Sequence, residues 1–471
     1  MATTKIALIN PESKRTVNYY PTGLCSLSSY VKKYSKKDVV IKIFNYDEDE
    51  LSYLESFAPD IIGLTSFTHY FKKSVQISKL LKQKFPQSLL VFGGCHISVM
   101  PESLQGDFDL AVIGEGEQSF LEIVENFSDI SDLSFKSIDG IAYRENGSVI
   151  INNARPLIRN LDEIPIPDRE NINDLERIIT ADHPGWFGRT GLRHAQLSTS
   201  RGCPYNCIFC QPSAMWEKYR MNSPEYIAEE IDYIHKKFGI NAILIEDDLF
   251  TGSKKRVSGI IDMLGHKGLL GKIVYYVAGR TLQIDEEWAQ LFKKLGVYKV
   301  EFGIESGSDR VAQYLKTGKS STEINKKAIT ILNAAGISVM GSFIAGAPSE
   351  TKEELQQSKD MIRWIQKSHK NNTCGIGIAT PLPATELWNI AVSKGLIDLD
   401  TFDWDKLLAL KVMPKSGNDF ILLNENMSAD YILKQVKSIN FRLNLGSPST
   451  FIKALPRRLL KLFRKILGRL S

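Results

Sequence analysis

Short apolar, β-branched runs alternate with segments of helical period over the first quarter of the chain. Strands are predicted at 5–10, 39–45, 61–66, 88–94 and 110–113, with helices near 22–36, 70–85 and 117–126. Strands apolar along their whole length must be covered on both faces, and intervening helices supply that cover. Residues 1–130 therefore read as a doubly wound, Rossmann-like parallel sheet. From 131 to 190 the rhythm is lost. Asp139-Gly140 and Asn146-Gly147 mark turns, and Ile164-Pro165-Ile166-Pro167 stiffens the chain near its end, so this stretch reads as a hairpin and a proline-rich linker. Alternation resumes over 191–400, with strands predicted at 196–200, 242–247, 273–280, 300–306, 339–346 and 375–380. Six successive βα units without a Rossmann glycine fingerprint predict a partial (β/α)6 barrel of TIM type, with functional side chains at the C-terminal ends of its strands. Residues 401–471 form a C-terminal helical region, which ends in an amphipathic basic helix from Phe451.

A hydrophobic fraction of 43%, a charged fraction of 24% and a negative mean hydropathy describe a folded soluble chain, and no apolar stretch is long enough to span a membrane. The N-terminus runs directly into the first strand without a signal-peptide pattern, so the cytoplasm is the expected location. The net charge of +5 is unevenly placed. Residues 449–471 carry seven Lys/Arg and no acid, leaving 52 basic against 54 acidic residues elsewhere. A near-neutral body excludes general nucleic-acid binding. The basic face of 451–471 suits an anionic membrane surface, or else docks on its own domain.

Of six cysteines, three fall within eight residues, in Thr199-Ser200-Arg201-Gly202-Cys203-Pro204-Tyr205-Asn206-Cys207-Ile208-Phe209-Cys210 at the end of the first barrel strand. Random placement gives this spacing about once in two thousand arrangements. Cys203, Cys207 and Cys210 can wrap one corner of a cuboidal iron–sulfur cluster and leave its fourth iron without a cysteine, an open position at which a substrate can bind. A zinc knuckle would want a fourth ligand at short spacing, and none follows until His235.

Here the chain resembles the radical S-adenosylmethionine (SAM) superfamily, whose signature is this spacing on the loop after the first strand of a partial barrel. The resemblance implies that SAM chelates the open iron of a 4Fe-4S cluster and, on one-electron reduction, yields a 5′-deoxyadenosyl radical. It implies contacts to SAM from Phe209 near the adenine, from Glu246 in Glu246-Asp247-Asp248 toward the amino group, and from Arg280, Glu305 and Ser306 toward ribose and carboxylate. Gly346, in the glycine-rich end of the fifth strand, belongs on the adenine side. Acids at strand ends also cap the next helix in the chain, which is the plainer reading of each alone.

Val91-Phe92-Gly93-Gly94-Cys95-His96 and Gly114-Glu115-Gly116-Glu117 follow the fourth and fifth strands of the first sheet. Glycines there let a ligand approach the backbone. Placed before the cysteine motif, these segments resemble the cobalamin-binding domain of cobalamin-dependent radical SAM enzymes, which implies contacts from Ser66, Gly93, Gly94, Glu115 and Gly116, with Thr65 and Thr68 lining the same cleft. The Asp-x-His-x-x-Gly loop that supplies a cobalt-ligating histidine elsewhere is missing, so the resemblance assigns His96 no cobalt. His69, His183 and His194 read as isolated, and Cys25, Cys95 and Cys374 as small apolar residues.

The expected function is methylation of an unactivated carbon or phosphorus centre of a small-molecule or lipid-like substrate, using 4Fe-4S, SAM and cobalamin, with an external flavodoxin- or ferredoxin-type reductant. The alternatives are radical cyclisation or rearrangement without methyl transfer, or a cobalamin-binding sensor or electron carrier without SAM turnover. No catalytic side chain stands out beyond the cofactor contacts.

Overall fold

The computed structural model describes residues 3–12, 19–47, 50–128, 137–216, 218–318 and 320–445. The first sheet contains β1 (Thr4–Asn10), β2 (Val39–Asn45), β3 (Ile61–Thr65), β4 (Leu89–Gly93), β5 (Leu110–Val112), β6 (Ile141–Glu145) and β7 (Ser148–Ile151), in the order β2-β1-β3-β4-β5-β6-β7. It is parallel through β5. The hairpin β6–β7, turned at Asn146 and Gly147 with φ of 50° and 84°, then adds antiparallel to β5. The hairpin expected in 131–190 thus extends the first sheet rather than standing apart.

Alternate strand residues face opposite layers. Ile6 and Leu8 pack with Leu24 and Val31 of helix Thr22–Tyr34, whereas Ala7 and Ile9 pack with Leu54, Phe71 and Ile77 of the helices on the other face. Both faces are covered, which is why the strands are apolar throughout. Strand order reverses between β1 and β3, and the crevice beyond their carboxyl ends is where open α/β sheets take ligands.

The second sheet has six parallel strands, β8 (His194–Leu197), β11 (Ala242–Ile245), β12 (Val274–Gly279), β13 (Val297–Glu305), β14 (Ser338–Ala345) and β15 (Thr373–Ile378), in sequential order and open between β8 and β15. This is the partial (β/α)6 barrel. A two-stranded ribbon, β9 (Ser200–Arg201) with β10 (Arg220–Met221), brackets the cysteine loop. Helix Ala429–Leu445 covers the open edge, where the Asn440 amide accepts from Ile376 N and donates to its carbonyl at 3.4 and 2.8 Å. An uncovered edge strand would be a template for aggregation. Among the described residues no helix is long and apolar enough to cross a membrane.

One continuous core joins the two sheets, running from Ile6, Leu8 and Leu24 to Ile227 and Ile231 of the barrel. Polar groups buried at the same boundary fix its register. Arg169 of the linker donates to Tyr20 Oη at 2.7 Å, to the Gln196 carbonyl at 3.1 Å and to Glu230 at 2.5 Å, and both members of the ion pair are at most 2% exposed. Arg169→Met leaves the Glu230 carboxyl buried without its partner, so the denaturation midpoint should fall by the equivalent of about 3–5 kcal/mol, and Arg169→Met/Glu230→Met should recover most of it. A single variant within about 0.5 kcal/mol of wild type would show that the pair is solvated.

Candidate active site

β8 runs into the cysteine loop through a fixed turn. Asp247, buried at the end of β11, accepts from Thr199 N at 2.5 Å, Thr199 Oγ1 at 2.6 Å and Ser200 N at 3.0 Å. Gly202 has φ of +87°, and a Cβ there would lie 2.7 Å from the Lys218 carbonyl, so only glycine fits. Cys203, Cys207 and Cys210 come next, half-buried and with no disulfide among them, and burial raises the Cys203 and Cys207 thiols. Cys25 and Cys374 lie in the core, whereas Cys95 lines the cleft between the two sheets, contrary to its reading as packing.

The end of β12 supplies Arg280, whose Nη1 stands 3.7 Å from Cys207 Sγ and whose guanidinium lies 3.7 Å over the Tyr205 ring. Lys316, buried and missed by sequence reasoning, also acts electrostatically on Cys207. It donates to the Gly303 carbonyl and pairs with Glu305 at 3.8 Å. Three thiols on one turn with two cations beside them fit a cluster whose thiolate ligands carry negative charge. Among the described residues no three His, Cys, Asp or Glu converge on a single ion; a cuboidal cluster needs no such convergence, because each thiolate takes a different iron.

The strand-end residues divide. Glu305 sits at a register shift in β13 with φ of +63°, a conformation that side chains other than glycine rarely adopt, and its carboxylate folds over Gly303, where a Cβ would lie 2.0 Å from Oε1. Burial raises its carboxyl against the opposing pull of Lys316 and Arg280. Phe209 packs with Ile344 and Ala347 at the end of β14. Gly346, with φ of +82°, donates its N–H to Glu350 Oε2 at 2.6 Å; the second oxygen of buried Glu350 has no hydrogen-bond partner. Ser306, expected at the ribose, is fully buried and bonded to Ser358 Oγ at 3.1 Å, so its hydroxyl serves the fold. Asp248 is the acid beside the cysteine loop: it acts on Cys203, and burial raises its carboxyl to about 6 against the opposing pull of the Gly202 N–H. Glu246, expected at SAM, turns instead toward the first domain, where it accepts from Thr22 Oγ1 at 3.0 Å; burial raises it to about 7.

Glu246 and Asp248 project into a cavity of about 420 Å³ between the two sheets. Asn10, Thr65, Ser66, Gly93 and Gly114 line it from the carboxyl ends of the first sheet, and Ser198 and Ser200 from the barrel. A Cβ at Gly93 or Gly114 would meet nothing within 4 Å, so these glycines hold open space. Gly94 has φ of +95° and backs onto Thr65 Oγ1, which a Cβ would approach to 2.5 Å. This cradle fits a ligand laid against backbone, as the cobalamin reading requires. Thr68 departs from expectation, since it faces His96 Nδ1 at 3.3 Å. His96 is buried, bonded also to Ser103 Oγ, stacked on Phe71 and edge-on to Trp404, so it does not reach the cavity. Glu115 lines the cavity, yet its carboxylate is committed to Arg201 at 2.6 Å and Arg220 at 2.9 Å. His183 and His194, read as isolated, meet edge-to-face at 4.5 Å, with His183 stacked on Trp186.

The pattern of the Radical SAM superfamily matches residues 197–362, and that of the B12 binding domain matches 13–124. The "Uncharacterized methyltransferase PH0819" of Pyrococcus horikoshii is 32% identical over 431 residues, covering 88% of both chains. The chain belongs to the cobalamin-dependent radical SAM enzymes. The cofactors of this radical SAM enzyme are a 4Fe-4S cluster, SAM and cobalamin. It is similar to the cytidylyl-2-hydroxyethylphosphonate methyltransferase of Streptomyces wedmorensis, at 26% identity over 84% of this chain and 83% of that one. Other relatives are named as anaerobic magnesium-protoporphyrin IX monomethyl ester cyclases. The structure of the radical SAM methyltransferase TsrM from Kitasatospora setae shares the fold, with a TM-score of 0.68 at 16% identity, covering 83% of this chain and 79% of that one.

Proposed function

We propose that this methyltransferase acts on an unactivated carbon or phosphorus centre of a small-molecule or lipid-like substrate held between the two sheets. The observation that carries this reading is the shared cleft, into which the carboxyl ends of both parallel sheets open. When bound, the cluster with SAM supplies a 5′-deoxyadenosyl radical, and cobalamin supplies a transferable methyl group.

In this reading Cys203, Cys207 and Cys210 hold the cluster. Asp248 takes the amino end of SAM, Arg280 and Glu305 its carboxylate and ribose side, and Phe209 and Gly346 flank the adenine. Gly93, Gly94, Gly116 and Ser66 form the wall against which cobalamin rests. Glu246, with a pKa of about 7, is present in both protonation states near neutrality and can give or take a hydrogen bond from a polar group in the cleft. The electron enters from an external flavodoxin- or ferredoxin-type donor.

Anaerobically reconstituted protein given cobalamin, SAM and a one-electron reductant should form both S-adenosylhomocysteine and 5′-deoxyadenosine. The cyclase relatives favour a second reading, ring closure or rearrangement, under which 5′-deoxyadenosine forms alone. Formation of neither would leave only a sensor or carrier.

The basic segment 451–471 lies outside the described residues, and its sequence supports contact with an anionic membrane surface. Seven cations contribute about 1 kcal/mol each near such a surface, less the cost of ordering the segment. Full-length protein should sediment with anionic liposomes at low salt and be released as salt rises, and deletion of 451–471 should abolish binding. Indifference to anionic liposomes would remove the support for a lipid-like substrate.

A further inference from the structure

The Gly114-Glu115-Gly116-Glu117 loop carries two carboxylates in the wall of the cleft that are committed to arginines of the barrel domain. Glu115 accepts from Arg201 at 2.6 Å, from Arg220 at 2.9 Å and from Ile158 N at 2.7 Å, and Glu117 accepts from Arg201 Nη2 at 2.6 Å. Both carboxylates are nearly inaccessible, at 4% and 5% of their side-chain surface. Arg201 therefore bridges two acids with the two arms of its fork, which lysine could not reproduce.

The position of Arg201 in the chain gives the bridge its consequence. Arg201 pairs with Arg220 across the ribbon β9–β10, so both cations stand on one rigid element. The next residue is Gly202, packed against Trp216 and Lys218 in the segment that leads into β10, and the one after is Cys203. On the other side of the bridge, Gly114 and Gly116 present backbone to the cleft. A displacement of residues 114–117 cannot occur without moving Arg201 or breaking two buried, charge-assisted bonds, and a displaced cysteine loop pulls on the same carboxylates.

We propose that the Glu115–Arg201–Glu117 bridge, buttressed by Arg220, couples the two cofactor sites, so that cobalamin in the cleft and the cluster on the cysteine loop each bind more tightly when the other is present. Arg201 and Glu117, in the wall of the cleft, are then positioning residues that act through the bridge they form. The inference rests on the cobalamin reading of the cleft. Coupling between sites is reciprocal and shows as a ratio of affinities. A ratio also separates coupling from mere structural support, because a local weakening lowers both affinities alike.

The test measures the dissociation constant of hydroxocobalamin, anaerobically and by equilibrium dialysis, for the full chain with its cluster reconstituted and for the same chain prepared without iron. Wild type should bind about fivefold or more tightly with the cluster present. Arg201→Gln and Glu117→Gln should bring the ratio close to one, and Arg201→Lys should fall between. Should Arg201→Gln fail to fold, Glu117→Gln carries the test, since it keeps the Glu115 pairs with Arg201 and Arg220. A wild-type ratio near one, or a ratio that survives Glu117→Gln, overturns the coupling while the cobalamin reading stands. Failure of wild type to bind hydroxocobalamin in either state overturns both.

Discussion

Cys207→Ala should abolish reductive cleavage of SAM. Cys207 faces the cations of the site, with Arg280 Nη1 at 3.7 Å and Lys316 acting on it as well. Removing it takes one of three thiolates from the cluster and leaves Arg280 without the thiolate it faces. Cys25 and Cys374 cannot substitute, because both are closed in the core. Iron content after anaerobic reconstitution should fall well below about four per chain, and 5′-deoxyadenosine should be undetectable. Cys374→Ala serves as the control and should keep both. Four irons with normal 5′-deoxyadenosine formation in Cys207→Ala would sink the assignment of the cluster to this loop.

Gly93→Leu should empty the cleft of cobalamin without unfolding the protein. The backbone at Gly93 does not need glycine's special conformations, and a Cβ there meets no atom within 4 Å. The added side chain therefore enters free space, and stability should stay within about 0.5 kcal/mol of wild type. That space is the cradle itself, so hydroxocobalamin affinity should fall by roughly 100-fold, equivalent to about 2.7 kcal/mol. Cluster content should not change. Binding with wild-type affinity would place the cofactor elsewhere. Gly94→Ala is a poorer probe, since its Cβ would strike Thr65 Oγ1 and strain the turn as well.

The parallel strands were legible because burial on both faces leaves an apolar run, and the cysteine spacing because each thiolate must reach its own iron. The features that escaped the sequence depend on distant partners. Glu115 reads as a cleft residue on a glycine loop, and nothing local announces Arg201 and Arg220, 86 and 105 positions away. The ribbon that carries those arginines has two residues per strand, too short to show a period. Ser306 and Asp247 sit at strand ends like their neighbours, yet Ser358 and Thr199 claim their side chains. Lys316 ends an ordinary amphipathic helix, Asp309–Lys316, and only the fold turns it toward Cys207. The omission of His96 as a cobalt ligand agrees with its burial between Phe71 and Trp404.

The core that runs unbroken from the first sheet into the barrel limits how ligands can come and go. Hinge closure, common where a cofactor lies between two lobes, requires an interface that can part and re-form in water. Here parting would expose Leu24, Cys25, Ile227 and Ile231 and strand the Arg169–Glu230 pair. Exchange therefore falls to local movement at the rim of the cleft, so turnover should respond to changes in individual rim segments more than to viscosity-sensitive swinging of whole lobes. By the same reasoning the barrel cannot be excised as a free-standing half, because its freshly exposed flank would seek another apolar partner.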